Sequence, residues 1–124
     1  MFAWTDGAGM ILARGWLRAR LGCLVLAWSR LRLRLERLGR LFWFTVEFGV
    51  IRQNGEIKVY GSGLISSHGE CTHVINAGPE IREFNLAKVL DTVVDVAKMQ
   101  PVLYAIESFD QIYEATKEAE SRLG

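Results

Sequence analysis

The chain has 124 residues, half of them apolar, and a formal net charge of +1 at pH 7. This length allows one domain or part of one, and the near-neutral charge gives no indication of a nucleic-acid partner. The two cysteines, Cys23 and Cys71, are too few for a disulfide framework and make a reducing cytoplasm the default location.

The near-neutral total hides two regions of opposite charge. Residues 1–40 contain eight arginines, no lysine and two acids, whereas residues 41–124 contain twelve acids and seven basic residues. The longest apolar run of the first region has about eight residues, far from the roughly 20 that a spanning helix needs, so no transmembrane segment is expected. The arginine tract at 30–40 predicts either a solvated helix face or a surface for anionic lipid or RNA.

A long helix is predicted before residue 49. Residues 1–15 are irregular, and disorder or fraying is expected there; from about residue 16 to residue 48 only Gly22 and Gly39 interrupt a helix-compatible sequence. The tract RLRLRL also alternates with period two, but its length and composition favour a helix. Side chains at three- and four-residue steps form one face: Leu31, Leu35, Leu38 and Phe42.

The middle of the chain predicts a turn, a short strand and a capped helix. Asn54 and Gly55 form a turn signal that leads into a strand at residues 57–60. The Gly-Ser-Gly segment 61–63 lets the backbone come close to another group. The serines that open the segment 66–75 suit the N-terminus of a short helix.

The last third contains further helix and strand signals. Residues 85–98 begin with an asparagine cap, residues 102–106 are typical of a buried strand, and residues 108–123 have a clear helical period. Together these elements predict a mainly α-helical protein with a small β-ribbon, in the α+β class.

One acid, Glu47, lies in an aromatic stretch, LFWFTVEFGV. On a helix, Trp43 and Phe44 lie one turn before it and Phe48 follows directly. Burying a carboxylate there is costly unless an arginine, a proton or a metal ion compensates its charge. The residues alone leave both an ion pair with an arginine and a metal-ligand role open.

The two histidines, His68 and His73, could be metal ligands together with Glu47. With Glu47 they have the composition of the two-histidine, one-carboxylate set of non-haem iron oxygenases. Residues five apart on a helix point about 140° away from each other, which favours exposed or capping histidines instead. Ser67 and Glu70 have the spacing of a capping box, which by itself indicates only a helix start.

Three stretches follow one another with compatible spacing over residues 36–120: FWFTVEFG, IKVYGSGLISSHGE and MQPVLYAIESFDQIYEA. In this order they resemble the pterin-dependent aromatic amino acid hydroxylases, most of all the phenylalanine 4-monooxygenases. The resemblance implies an incomplete catalytic domain, namely its C-terminal part. It also implies Fe(II) and tetrahydrobiopterin as cofactors, O2 as co-substrate and an aromatic amino acid, phenylalanine converted to tyrosine, as substrate.

The resemblance assigns roles to individual residues. Glu47 corresponds to the carboxylate ligand of the catalytic iron. Phe42, where many members have tyrosine, and Ser62 correspond to positions near the pterin. The residues implied to shape the substrate site are Trp43, Phe48, Gly63, Ser66 and Glu70.

The departures from the family predict a fragment. The upstream histidine motif, H-[DE]-x-x-G-H, does not occur, and residues 1–34 match nothing in the family. We expect residues 1–34 to be an out-of-frame, disordered or basic helical segment and residues 35–124 to be an inactive remnant of the catalytic domain. The remaining elements cannot cover all the aromatic residues around Glu47, so we expect an exposed aromatic patch that causes self-association or poor solubility; the residues concerned are Phe42, Trp43, Phe44 and Phe48.

An alternative interpretation is a non-catalytic binding module. In that case residues 14–40 form a basic amphipathic helix that engages a membrane or a protein partner.

Overall fold

The computed structural model describes the backbone of residues 7–123 and the side chains of residues 18–123. By internal contacts the chain divides into two units, Met1–Arg34 and Leu35–Gly124. The described part of the first unit is helical, and its described side chains are all exposed. Residues 1–6, at the start of the predicted irregular segment, lie outside the described residues.

The first helix is longer than the sequence pattern predicts. Helix α1 spans Gly7–Phe42, so it begins before residue 16 and includes residues expected to be frayed. It continues directly into a π-helical turn, Trp43–Glu47, and Gly49 follows close behind as the predicted terminator. The predicted helix to residue 48 is therefore present, but its last turn has a different hydrogen-bond register.

Four shorter helices follow: α2 at Ser62–Ser66, α3 at His68–Ile75, α4 at Leu86–Asp91 and α5 at Phe109–Leu123. The predicted caps of α3 and α4 are confirmed. The Ser67 hydroxyl accepts a hydrogen bond from the backbone N–H of Glu70, and the Asn85 side chain accepts one from Lys88. Helix α4 ends at Asp91, because the β-branched residues that follow it favour extended backbone.

The predicted ribbon is a four-stranded sheet. Its strands are β1 at Val50–Gln53, β2 at Glu56–Val59, β3 at Glu80–Glu83 and β4 at Val102–Ile106, in the order β2-β1-β4-β3. Strands β1 and β2 form an antiparallel hairpin, and β4 pairs in parallel with both β1 and β3. Positive φ angles at Asn54 and Gly55 are those that a tight hairpin turn requires.

Strand β4 lies in the middle of the core. Tyr104 faces one apolar cluster together with Leu41 and Phe44, whereas Leu103 and Ala105 face a second cluster with Phe48. Because successive side chains of a strand point to opposite faces, a strand buried on both faces is apolar throughout. This explains why VLYAI could be identified as a buried strand from its sequence.

Two polar contacts connect the C-terminal end of α1 to α4 within the second unit. The Arg40 guanidinium donates a hydrogen bond of 2.7 Å to the backbone carbonyl of Leu90, and Arg37 lies 3.5 Å from the Asp91 carboxylate. Both contacts precede the π-helical turn and fix the direction from which the chain enters it. In the part of the chain that the structure describes, no helix is long and apolar enough to cross a membrane.

Candidate functional site

The π-helical turn sets the position of Glu47. Its defining bond is donated by the backbone N–H of Phe48 to the carbonyl of Trp43, five residues earlier, at 2.7 Å. The Thr45 hydroxyl donates to the Leu41 carbonyl at 2.6 Å, so this side chain satisfies a carbonyl next to the change of register. Turns of this kind are uncommon and are frequently found at functional sites.

The change of register brings two aromatic rings together beside Glu47. The rings of Trp43 and Phe48 stack with centroids 5.2 Å apart and planes 20° apart. Side chains five apart on a regular α-helix point about 140° away from each other, so the stack depends on the wider turn. Trp43 is half-buried and Phe48 is buried, and together they form an aromatic wall; Phe48 Cε1 of this wall and Glu47 Oε2 lie 3.5 Å and 2.8 Å from the point that a Cβ atom at Gly63 would occupy.

The four aromatic side chains around Glu47 do not all remain exposed. Phe44 is buried and packs edge-on against Tyr104, and Phe48 is buried as well. Only Phe42 is exposed to the extent expected of a surface patch, at 48%. The sheet supplies the cover that the sequence pattern did not reveal. Self-association stays a prediction and now rests on Phe42 and the exposed apolar side chains of α1.

The Gly-Ser-Gly segment comes close to Glu47. The sequence predicts such a close approach but not the group that is approached. A Cβ atom at Gly63 would lie 2.8 Å from Glu47 Oε2, and one at Gly61 would lie 2.4 Å from the Glu47 carbonyl oxygen. The Ser62 hydroxyl donates to the Val46 carbonyl at 3.4 Å. The group that the glycines approach is therefore Glu47 itself, together with its backbone.

Neither an arginine nor a lysine forms a salt bridge with Glu47 among the side chains that the structure describes. Glu47 is half-buried, so water still reaches its carboxylate. Of the alternatives that the sequence left open, the ion pair with an arginine is absent from the described residues. The carboxylate thus lies against glycine and an aromatic wall.

Ser66 and Glu70 lie in the same segment, but their contacts are local. The Ser66 hydroxyl donates to the Gly63 carbonyl at 3.1 Å. Glu70 borders a narrow cleft together with His73 and Gln100, which has room for about one water molecule. Ser66 helps to hold the backbone of the Gly63 turn, and Glu70 lies at the start of α3.

His68 and His73 do not form a metal-binding group with Glu47. His68 is exposed at the first position of α3, and the His73 ring packs against Gly78. Across residues 18–123 there is no group of three histidine, cysteine, aspartate or glutamate side chains that could hold a metal ion. The described residues therefore do not fit an iron ion, because they provide one carboxylate at the site and no second ligand.

Sequence reasoning missed one buried polar group near this site. The Tyr60 ring packs edge-on against Phe109 and covers Gly49, and its hydroxyl has no hydrogen-bond partner among the described residues. Burial raises the pKa of Tyr60 to about 12. In the sequence, the one feature that could have indicated a role for Tyr60 is its position directly before the Gly-Ser-Gly segment.

The same family emerges from comparison with known proteins. The sequence pattern of the biopterin-dependent aromatic amino acid hydroxylases matches residues 23–123. The chain therefore belongs to the family of biopterin-dependent aromatic amino acid hydroxylases. The match begins upstream of residue 35, within α1.

Particular relatives show how much of such a protein the chain covers. Tyrosine 3-monooxygenase of Bos taurus is 42% identical over 89 residues, which are 72% of this chain and 18% of that protein. Phenylalanine-4-hydroxylase of Caenorhabditis elegans is 41% identical over 75 residues, 60% of this chain and 16% of that protein. The cobalt-bound phenylalanine hydroxylase of Chromobacterium violaceum has a TM-score of 0.65 and 32% identity, over 73% of this chain and 34% of that one. The chain thus spans about a sixth of the length of the two curated relatives and about a third of the solved structure.

Proposed function

We propose that the chain carries the carboxylate side of the active site of an aromatic amino acid monooxygenase of the phenylalanine-to-tyrosine class. The observation that carries the proposal is the placement of Glu47, which belongs to the same π-helical turn as the stacked Trp43 ring and whose Oε2 atom lies against Gly63. Family membership implies iron and tetrahydrobiopterin, which activate O2 when both are bound. Since the described residues lack the histidine ligands, no catalytic step follows from this chain alone.

The aromatic wall supports a substrate role for Trp43 and Phe48. A stacked pair of rings offers apolar surface and an edge-to-face partner to the ring of an aromatic amino acid. We assign the opposite side of the site to the substrate-side loop, Gly63, Ser66 and Glu70. The phenylalanine preference rests on the sequence resemblance, and tyrosine hydroxylases are also among the relatives.

Pterin contacts are proposed for Phe42 and Ser62. Phe42 is exposed and meets the Trp43 ring edge-on at 6.2 Å, so it offers a free aromatic surface beside the wall. It lacks the hydroxyl that many family members have there, and it can therefore stack but not hydrogen-bond. The Ser62 side chain is exposed, and its hydroxyl bonds to the Val46 carbonyl.

We further propose that the chain is inactive by itself, because a single carboxylate is not a preorganised iron site. A cytoplasmic location, suggested by the two free cysteines, stays a prediction. Incubation with Fe(II), tetrahydrobiopterin, O2 and phenylalanine should give no tyrosine. Product formation that depends on Fe(II) would contradict this part of the proposal.

A chimera tests the site itself. Residues 35–123 would replace the corresponding segment of the Chromobacterium violaceum phenylalanine hydroxylase, whose remaining part stays unchanged. The chimera should bind iron and hydroxylate phenylalanine in preference to tyrosine and tryptophan. In that background Glu47→Gln should reduce iron affinity by at least about 10-fold, since it replaces a charged ligand by a neutral one.

The matched control is Glu56→Gln, at an exposed position of β2. It removes the same charge away from the site and should leave iron affinity unchanged. A folded chimera in which Glu47→Gln binds iron as well as its parent does would show that Glu47 is not a ligand. Preference for another amino acid would correct only the substrate assignment.

A second candidate function is favoured by the surface of α1. Residues 18–34 contain five arginines and no acid, and large apolar side chains among them are exposed, including Leu24 at 65% and Trp28 at 70%. Such a helix is attracted to an anionic lipid surface. However, Arg30 and Arg32 point about 160° away from each other around the helix, so charged and apolar residues do not separate into two faces. The hydroxylase proposal is therefore preferred.

Vesicle sedimentation distinguishes the two candidates. The binding-module candidate expects the chain to pellet with phosphatidylserine-containing vesicles and to stay in solution after the replacement of Arg30, Arg32 and Arg34 by glutamine. The hydroxylase proposal expects no difference between these two proteins.

A further inference from the structure

Gly63 occupies a position where its own backbone does not require glycine. It lies inside helix α2, and its φ is not in the left-handed region that favours glycine. In a helix, alanine is preferred over glycine by roughly two- to fivefold in the folded-to-unfolded ratio. The reason for glycine at this position must therefore be the space that a side chain would fill.

That space is bordered mainly by Glu47. A Cβ atom at position 63 would lie 2.8 Å from Glu47 Oε2, 3.1 Å from the Glu47 carbonyl oxygen and 3.5 Å from Phe48 Cε1. The first distance is shorter than any normal contact, the second is tight, and the third is ordinary. The carboxylate is thus the group with which a side chain at 63 would conflict.

The segment that contains Gly63 packs against the backbone on either side of Glu47 and is hydrogen-bonded to it. A Cβ atom at Gly61 would lie 2.4 Å from both the Glu47 carbonyl oxygen and the Gly49 nitrogen, so these backbones are already in close contact. The Gly61 N–H donates to the Gly49 carbonyl at 2.9 Å, and Ser62 bonds to the Val46 carbonyl. Because the backbone is held on both sides, the flexible end of the Glu47 side chain is what must move.

We propose that Gly63 is a positioning residue, which sets the place of the Glu47 carboxylate by leaving free the space that its Oε2 atom occupies. This role differs from the substrate contact that the sequence resemblance implies for Gly63. Its importance for hydroxylation rests on the proposed function, in which Glu47 is a ligand. The effect of Gly63 on the position of the Glu47 carboxylate can be measured in this chain alone.

The test follows the side-chain carboxyl carbon of Glu47 by NMR in the full chain labelled with 13C-glutamate. The signal is assigned by its loss in Glu47→Gln. Gly63→Ala should shift this signal, because the carboxylate leaves the glycine and meets a different environment. The matched control is Gly69→Ala in helix α3, where the new Cβ would meet only Met99 Cε at 3.6 Å, an ordinary contact. It should leave the Glu47 signal unchanged.

Stability measurements separate positioning from simple packing. If Gly63→Ala lowers the folded-to-unfolded ratio, the loss should become at least about threefold smaller in a Glu47→Ala background, because the conflicting carboxylate is gone. An unshifted Glu47 signal, or an equal loss of stability in both backgrounds, would overturn the proposal. The chimera tests the iron-ligand role of Glu47 separately. If the chimera shows that Glu47 is not a ligand, the NMR and stability measurements still test the positioning role of Gly63.

Discussion

At the scale of single residues, the neighbour of the Glu47 carboxylate is a glycine, Gly63, rather than a charged side chain. A carboxylate within an aromatic stretch suggests a compensating arginine or metal. Instead, Glu47 stays half-exposed and lies against Gly63, so solvent still stabilises its charge. Directly before Gly61 in the chain, the Tyr60 hydroxyl is buried with no partner among the described residues. Both polar groups border the Gly-Ser-Gly segment.

Tyr60 should make stability depend on pH in the alkaline range. Burial raises its pKa from 10.0 to about 12, so the folded state keeps the phenol proton after the unfolded state has lost it. The contribution of Tyr60 is therefore fully present below pH 10 and is lost as pH rises from 10 to 12. Urea unfolding over this range should show a steeper decrease of the unfolding free energy in the parent than in Tyr60→Phe.

The control for Tyr60 is Tyr113→Phe, at a position exposed to 61%. At pH 7, Tyr60→Phe should be neutral or stabilising by up to about 1 kcal/mol, because it removes an unsatisfied buried hydroxyl. Tyr113→Phe, which removes an exposed hydroxyl, should leave the stability at pH 7 unchanged. A destabilisation of more than about 1 kcal/mol by Tyr60→Phe would reveal a hydrogen-bond partner of the hydroxyl.

At the scale of elements, two of the short helices have side-chain caps at their N-termini. Helices α3 and α4 have only eight and six residues, and helices so short are marginal without capping and packing. Ser67 caps α3 directly after α2, so its hydroxyl fixes the point where the Gly63 segment ends. The cap therefore links helix stability to the geometry near Glu47.

Ser67→Ala should reduce the unfolding free energy by about 1 kcal/mol, because an N–H in the first turn of α3 loses its acceptor. Urea denaturation measures the loss, and faster amide hydrogen exchange in α3 would locate it. The matched control is Ser121→Ala, an exposed serine inside α5, which should be slightly stabilising because alanine is the better helix former. Equal effects of the two substitutions would argue against the cap.

At the scale of the whole molecule, the second unit contains everything assigned to the site. Both apolar clusters are formed by residues of Leu35–Gly124. The contact boundary at residue 34 lies downstream of residue 23, where the family match begins.

Deletion of residues 1–34 should leave the urea midpoint of the remaining chain within experimental error, because neither apolar cluster includes any of residues 18–34, the part of this segment whose side chains the structure describes. The Glu47 carboxyl signal should also keep its chemical shift. A deletion variant that unfolds at clearly lower urea would show that the helical segment stabilises the second unit. The comparison control is deletion of residues 1–17 alone, which retains the exposed basic tract.

The sequence by itself determined the family, the capped helices and the buried strand β4, because motifs, caps and apolar runs are local signals. It also identified Glu47 as the residue whose environment needed an explanation. Tertiary structure alone decided the four-stranded sheet: β3 is mostly polar and exposed, and its pairing with β4 joins segments far apart in the chain. It also decided that Gly63, sixteen residues from Glu47, is the neighbour of the carboxylate. Contacts across such separations depend on how the chain folds back, and no local pattern encodes them.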